Sequence, residues 1–304
     1  MVDQNESMIK KRYRIGEFCF ELRLPDDLPV PANMEMFRMA EPEIGGHTPD
    51  VCYKFSVVDN LDERIKVLEQ NKDFGREVAR QDFRLFYIEG RECRLLGIKG
   101  RPEFYGISAV QQDGNVEVFI RASYRAWTGQ DTIFVSFLML EKFMMEKDAY
   151  ILHSSFIEVD GKAILFSAPS ETGKSTQASL WEKYYGARVI NGDRSLIYKK
   201  KGQWYAGGWP VCGDSHICHN ESYPIRMIVM LKQSKVNQVY PMRPMQAFRE
   251  ILTQITINGW NREFQENAMN GLEQLITDIS VYRQECDISR EAVESLKSVL
   301  EMDK

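Results

Sequence analysis

The most chemically loaded stretch of the chain is Ala163-Ile-Leu-Phe-Ser-Ala-Pro-Ser-Glu-Thr-Gly-Lys-Ser-Thr176. An apolar run passes through small residues into Gly173-Lys174-Ser175-Thr176, and a helix-forming sequence follows. This is the phosphate-loop pattern GxxxxGKS, with Ala168 at the first glycine position, in the strand–loop–helix setting that its chemistry needs. Backbone N–H groups across Ser170, Glu171, Thr172 and Gly173 are expected to curl round phosphate oxygens, and the helix opening at Lys174, Ser175 and Thr176 adds its positive end. Lys174 would reach the β and γ oxygens of ATP, and the Ser175 hydroxyl would ligate Mg²⁺. The plain alternative is a chance helix N-terminus that binds nothing. Alanine at position 168 is costly only if that residue needs a positive φ.

Such chemistry needs a carboxylate for the metal. Arg188-Val-Ile-Asn-Gly-Asp193-Arg194 supplies Asp193 at the end of the next expected strand, where ligands of open α/β sheets bind. Its alternative is a turn aspartate after Gly192. His153 has the side chain best suited to take a proton near neutral pH, and is otherwise a strand histidine bonded to backbone. Arg243, in a loop stiffened by Pro241 and Pro244, is either a charge-stabilising arginine over the transferring phosphate or a solvated surface residue. Two cysteines and two histidines cluster in Cys212-Gly-Asp-Ser-His216-Ile-Cys218-His219, but without the usual CxxC spacing of a zinc site. A glycine-rich loop presenting Asp214 or His216 is the better reading. Glu171 is unexpected beside a triphosphate, because its carboxylate repels phosphate unless it turns to solvent.

The elements that must hold these residues divide the chain near residue 148. Residues 1–148 read as a β-rich domain, with alternation in Cys19–Leu24, Val51–Val58, Phe83–Tyr105 and Val116–Ile120. It ends in one linking helix capped by Asp131, with Ile133, Phe134, Phe137, Leu138, Leu140 and Met144 on its apolar face. Residues 149–304 read as an α/β domain, α+β for the chain overall. Its strands are Ile151–Glu158 and Lys162–Ser167, joined by a hairpin turn at Asp160-Gly161, then Ala187–Ile190, Ser195–Tyr198, Gln203–Ala206, Met227–Leu231 and Val281–Cys286. Its helices are Lys174–Tyr185, Pro244–Ile257, Gln265–Thr277 and one capped by Ser289 that runs to Met302. Trp181, Tyr184 and Tyr185 belong to core packing rather than a base-stacking platform.

In order, His153 on a strand leading into Asp160-Gly161, the phosphate loop, and Asn191-Gly-Asp-Arg194 resemble the HPr kinase/phosphorylase and phosphoenolpyruvate carboxykinase-like superfamily. The likeness runs from Tyr150 onward and is strongest up to Ser195. It implies an HPr kinase-like P-loop domain that transfers the γ-phosphoryl group of ATP, with Mg²⁺ on Ser175 and Asp193, to a hydroxyl acceptor on a peptide or protein Ser or a small molecule. The resemblance favours a functional His153; with Asp193 and, from its proline-flanked loop, Arg243, it makes up the catalytic candidates. Two departures stand out. Gly192 replaces the first residue of the family's Asp-Asp pair, and Gly207-Gly-Trp-Pro-Val-Cys-Gly-Asp214 stands where HPr kinases carry Glu-Ile-Arg-Gly. HPr itself is therefore not the expected acceptor. A catalytically reduced nucleotide- or phosphate-sensing protein and a carboxykinase-like enzyme stay open as alternatives.

Composition narrows the field without naming an activity. The chain has 304 residues, which suggests two domains, and a formal charge of −5 without a dense Lys/Arg run, so nucleic acid is not an expected partner. The most apolar stretch, Ile133–Leu140, is far too short to span a bilayer, and Met1–Arg12 lacks the apolar core of a secretory signal. A cytoplasmic chain with reduced thiols and no membrane partner is the expectation, with homo-oligomerisation left open.

Overall fold

A computed structural model describes residues 7–40, 43, 45, 47–75 and 77–302, so the segment read for a signal begins outside the described residues. The chain forms two compact units, Met1–Leu140 and Glu141–Lys304. Both are built of mixed sheet and helix, giving an α+β architecture.

The first unit is an eight-stranded sheet of β1 (Met8–Ile15), β2 (Phe18–Pro25), β3 (Val51–Val58), β4 (Glu77–Arg80), β5 (Phe83–Ile88), β6 (Arg91–Gly97), β7 (Phe104–Val110) and β8 (Val116–Arg121). They lie in the order β1-β2-β3-β8-β7-β6-β5-β4, parallel at β2–β3 and β3–β8 and antiparallel elsewhere. One turn of helix, α1 (Ala32–Glu35), and α2 (Leu61–Gln70) sit between strands. Leu61 and Ile65 of α2 pack with Phe86, Leu95, Ile107 and Phe119 of the sheet.

The single helix expected over 131–145 is two: α3 (Asp131–Phe137) and α4 (Leu140–Met145). Met139 has φ 49°, a left-handed conformation that interrupts the helical ladder. The carbonyls set loose by the break are taken by hydroxyls from the sheet: Ser108 donates to Phe137 O at 2.8 Å and buried Tyr53 to Leu138 O at 2.6 Å. Gln130, not Asp131, is the N-cap. Asp131 instead accepts from the Asn33 amide at 3.0 Å.

In the second unit β9 (Tyr150–Val159) and β10 (Lys162–Ser167) form a hairpin, followed by α5 (Lys174–Tyr185), β11 (Arg188–Asn191), β12 (Arg194–Lys200) and β13 (Gln203–Gly207). Then come β14 (Ser222–Gln233), β15 (Gln238–Pro241), α6 (Pro244–Leu252), α7 (Arg262–Asp278), β16 (Val281–Cys286) and α8 (Arg290–Met302). The sheet order is β10-β9-β12-β13-β14-β16-β15, with β11 on β9. A further parallel pairing of β10 with β14 closes a circuit of five strands.

The unbroken apolar run Ala163–Phe166 is explained by burial on both faces of β10. Ala163 and Leu165 join Ile251, Phe264, Leu272 and Leu275 of α6 and α7, whereas Ile164 and Phe166 join Trp181 of α5 and Val293 and Leu296 of α8. β14 alternates the same way, with Ile228 and Met230 in the first cluster and Met227, Val229 and Leu231 in the second. The two-residue period of a strand thus divides one hydrophobic segment between two cores. None of the described helices is long and apolar enough to cross a membrane.

Candidate functional site

The hairpin turn sets the position of His153. Asp160 and Gly161 both have positive φ, 51° and 73°, as a tight two-residue turn requires. The ladder then runs from Val159 opposite Lys162 to Ser154 opposite Ser167. One step further, His153 stands across from Ala168, the first residue of the loop. The separation of His153 from Ala168 along the chain is therefore a consequence of strand register, and the Ser167 hydroxyl locks it by donating to the His153 carbonyl at 2.8 Å.

Between β10 and α5 the loop folds round its own lysine. Lys174 is buried, and its Nζ donates to the carbonyls of Ala168 at 3.0 Å and Pro169 at 3.2 Å. Burial pushes this ammonium below the ordinary lysine value, with the charge of Asp193 opposing. Ala168 is fully buried and is not among the positive-φ residues, so alanine serves there without strain. The left-handed position falls instead on Glu171, at φ 64°, whose side chain is exposed to solvent. The amide of Gln233, at the end of β14, donates to Glu171 O at 3.2 Å and ties the loop to the sheet. No side chain caps the first turn of α5, whose N-cap is Gly173. Ser170, Thr172 and Thr176 line up along the same loop and first turn.

Asp193 sits where β11 passes into β12. The buried Asn191 shapes this bend: its Oδ1 accepts from the N–H groups of Asp193 and Arg194, both at 2.9 Å, and its amide donates to Trp209 O at 2.7 Å and Val211 O at 3.2 Å. The carboxylate of Asp193 lies 3.4 Å from His153 Nε2 and 3.3 Å from Arg194 Nε. Hydrogen bonding from His153, aided by the charges of Arg194 and Lys174, holds the carboxyl below the ordinary range against the effect of burial. Ser175 joins the group through Gly192, whose carbonyl accepts from the Ser175 hydroxyl at 3.1 Å and the Ser155 hydroxyl at 2.7 Å. The two oxygen ligands expected for a metal, Ser175 and Asp193, are thus held on one backbone junction. His153, Lys174, Ser175 and Asp193 form one constellation.

Other candidates fall elsewhere. Arg243 is exposed at the N-cap of α6, and no described hydrogen bond or ion pair ties its side chain to the loop. Arg283 of β16 was not singled out from the sequence. It is 8 % exposed, forms an ion pair with Glu250, and lines a cleft of about 460 Å³ with Pro169, Glu171, Thr172 and Gln233. Asp214 and His216 are exposed on a short 3₁₀ turn, and Cys218 donates its thiol hydrogen to Trp209 O at 3.2 Å. Among the described residues, no three His, Cys, Asp or Glu side chains converge as a metal cluster. Gln254 also escaped sequence reading: it contacts His153 from 101 residues away. Its only sequence signal was its place near the end of the α6 pattern, and α6 stops at Leu252, short of the expected Ile257, because Ile255 bridges to Leu152 of β9.

Fold and site define a two-unit α+β protein whose second unit carries a phosphate-loop motif between a strand and a helix. The family described as SynChlorMet cassette protein ScmC matches residues 132–300, more than half of the chain, and the chain belongs to that family. Among solved structures it is similar to the HPr(Ser) kinase/phosphatase from Coxiella burnetii, at 11% identity and a TM-score of 0.30, covering 51% of this chain and 99% of that one. No curated protein matches the sequence.

Proposed function

We propose that this chain is an ATP-dependent kinase whose loop, Ser170–Thr176, binds the triphosphate, and which transfers the γ-phosphoryl group to a hydroxyl acceptor on a peptide, a protein or a small molecule. The observation that carries this reading is the buried Lys174 ammonium. Among its described contacts it is satisfied by the loop's own carbonyls, beside a carboxylate kept ionised by His153 and Arg194. A buried cation inside a loop of small residues, at an uncapped helix N-terminus, is suited to a polyanion that replaces those carbonyls.

In this reading the loop amides and Lys174 hold the phosphates. Ser175 and Asp193 would hold Mg²⁺, which when bound neutralises charge on the phosphate oxygens; one carboxylate and one hydroxyl beside substrate phosphates are a donor set that this ion accepts. His153 accepts the proton of the acceptor hydroxyl as its oxygen bonds to the γ-phosphorus and the bond to the β–γ bridging oxygen breaks, releasing ADP. The resulting imidazolium donates to Asp193. The stretch Gly207–Asp214, where HPr kinases carry Glu-Ile-Arg-Gly, argues against HPr as the acceptor.

A second reading, a nucleotide sensor with reduced catalysis, is favoured by one observation: Ser215 fills the space that a side chain at position 192 would need. The test is Lys174→Ala, read by calorimetric titration with ATP and Mg²⁺ and by phosphoryl transfer to peptide and small-alcohol panels. Loss of both is expected. Undiminished ATP affinity and transfer in the variant would sink the kinase reading, and wild-type binding without turnover on any acceptor would favour the sensor.

A further inference from the structure

We infer that the cleft beside the phosphate loop takes the ribose of the donor nucleotide, with the Glu250 carboxylate accepting from its 2′ and 3′ hydroxyls. The inference rests on the nucleotide-binding role given to the loop above. It adds where the sugar lies and how a ribonucleotide is told from a deoxyribonucleotide.

The sheet gives the loop two different flanks. On one side of β10 lies antiparallel β9, which carries His153 and pairs with β12 just after Asp193. On the other lies parallel β14, followed by parallel β16. With the acceptor hydroxyl and the metal assigned to the first flank, the sugar end of the nucleotide has the second. The three parallel strands end at the loop's edge of the sheet, where ligands of such sheets bind. Ser167 pairs with Met230, so Leu231 and Lys232 run on beside the loop, and Met230 in turn pairs with Arg283. Arg283 thus stands two strands from β10, about 10 Å at the usual spacing between strands. The cleft of about 460 Å³ reaches from Pro169, Glu171 and Thr172 to Glu250 and Arg283, and a nucleoside fits a space of that size.

The charges of the cleft disfavour a second anionic group. Lys232 is paired with Glu285 at 2.8 Å and Arg283 with Glu250, while Glu171 adds a carboxylate of its own. Both cations that line the cleft are thus matched, and a neutral, hydroxyl-rich group fits it better than phosphate or carboxylate. Glu250 is the side chain arranged to take hydroxyls. Its Oε2 accepts from the Arg283 guanidinium and its Oε1 from the Gln246 amide at 3.1 Å. A carboxylate offers about four acceptor sites, so these two contacts leave room for two further donors, which a vicinal diol supplies. Arg283 is itself fixed between Glu250 and Leu231 O, and so holds the carboxylate in one orientation. Acidic side chains take ribose hydroxyls in the same way in dinucleotide-binding sheets.

Calorimetric titration of the full chain, in Mg²⁺, with ATP, 2′-deoxy-ATP, 3′-deoxy-ATP and tripolyphosphate tests this. ATP is expected to bind about tenfold more tightly than either deoxy analogue, the usual effect of losing one hydrogen bond to a charged group. The three nucleotides carry the same phosphate charge, so a general electrostatic change cancels in that ratio. Glu250→Ala is therefore expected to abolish the preference. Because that variant leaves a buried guanidinium alone, Glu250→Leu combined with Arg283→Met gives the same readout with the pair replaced by apolar volume. Equal affinity of the wild type for ATP and both deoxy analogues would overturn the inference even if neither variant folds, and so would an undiminished preference in a folded variant. Tripolyphosphate separates the sugar from the loop. Its binding, with no preference among the nucleotides, would sink the ribose site and leave the loop reading intact, whereas no binding of ATP or tripolyphosphate would sink both.

Discussion

Ser215 occupies the place beside Gly192 that any larger residue would need: a Cβ on Gly192 would fall 2.1 Å from Ser215 Oγ and 2.3 Å from its Cβ. Two positions together fill this place. Gly192 offers no side chain, and the turn Gly213–Ser215 puts its own into the space, anchored by a 2.6 Å bond from the Ser215 hydroxyl to Cys212 O.

Restoring a side chain at 192 is therefore expected to destabilise the second unit. Gly192→Ala should cost about 1–3 kcal/mol by overpacking, and Gly192→Asp no less. Thermal melts of Gly192→Ala, Ser215→Gly and the double variant check this: the double variant should recover most of the loss, as expected for two residues in contact. Additive losses would show that the clash is not the cause.

Glu171 carries a conformational penalty that glycine would remove. Glycine takes its left-handed conformation without strain, so Glu171→Gly should gain about 0.5–1 kcal/mol after allowing for the added freedom of the unfolded chain. On the proposed kinase reading, removing a negative charge from the loop should also tighten ATP about threefold at low salt, with the gain shrinking as ionic strength rises. Chemical denaturation and titration at two salt concentrations measure the two effects separately. A destabilised variant would mean that Glu171 makes a favourable contact in the loop.

Thiol chemistry should single out Cys52. It is half-exposed, whereas Cys19, Cys93, Cys212, Cys218 and Cys286 are buried. Burial pushes the Cys93 thiol up to about 12 and Cys286 to about 11, so neither supplies thiolate near neutrality. Cys52 is also raised, by partial burial first and by Glu21 second. Protonation of a thiol with a raised pKa persists to higher pH, so its labelling rate should still be climbing above pH 9, the ordinary thiol value. One fast-reacting thiol is expected in the native chain, lost in Cys52→Ser. A rate that levels off below pH 9 would contradict the raised pKa.

Local patterns revealed the parts of the site that depend on local chemistry. The turn at Asp160-Gly161 fixes the register that brings His153 to Ala168, and α5 runs over Lys174–Tyr185 as its loop, apolar positions and Gly186 stop dictate. What escaped depends on partners distant in sequence. No periodicity marks Met139 as a break, because the hydroxyls that receive the helix end come from Tyr53 and Ser108. Pro244 favours a helix start, but only the pairing of Ile255 with Leu152 ends α6 early and turns Gln254 towards His153. Arg283 reads as an ordinary strand residue until β16 lies beside β14, opposite Met230 and next to the loop.

Residues 254–256 lie along β9 beside His153, although about eighty residues separate them from Lys174. During synthesis the phosphate loop therefore leaves the ribosome well before the segment that clamps the histidine, and β14, the parallel neighbour of β10, emerges in between. Contacts so distant in sequence form late, because closing the intervening chain costs entropy before the contacts repay it. A nascent chain ending anywhere before residue 254 carries the whole loop motif and Asp193, yet lacks the side-chain and main-chain contacts that Gln254 makes with His153.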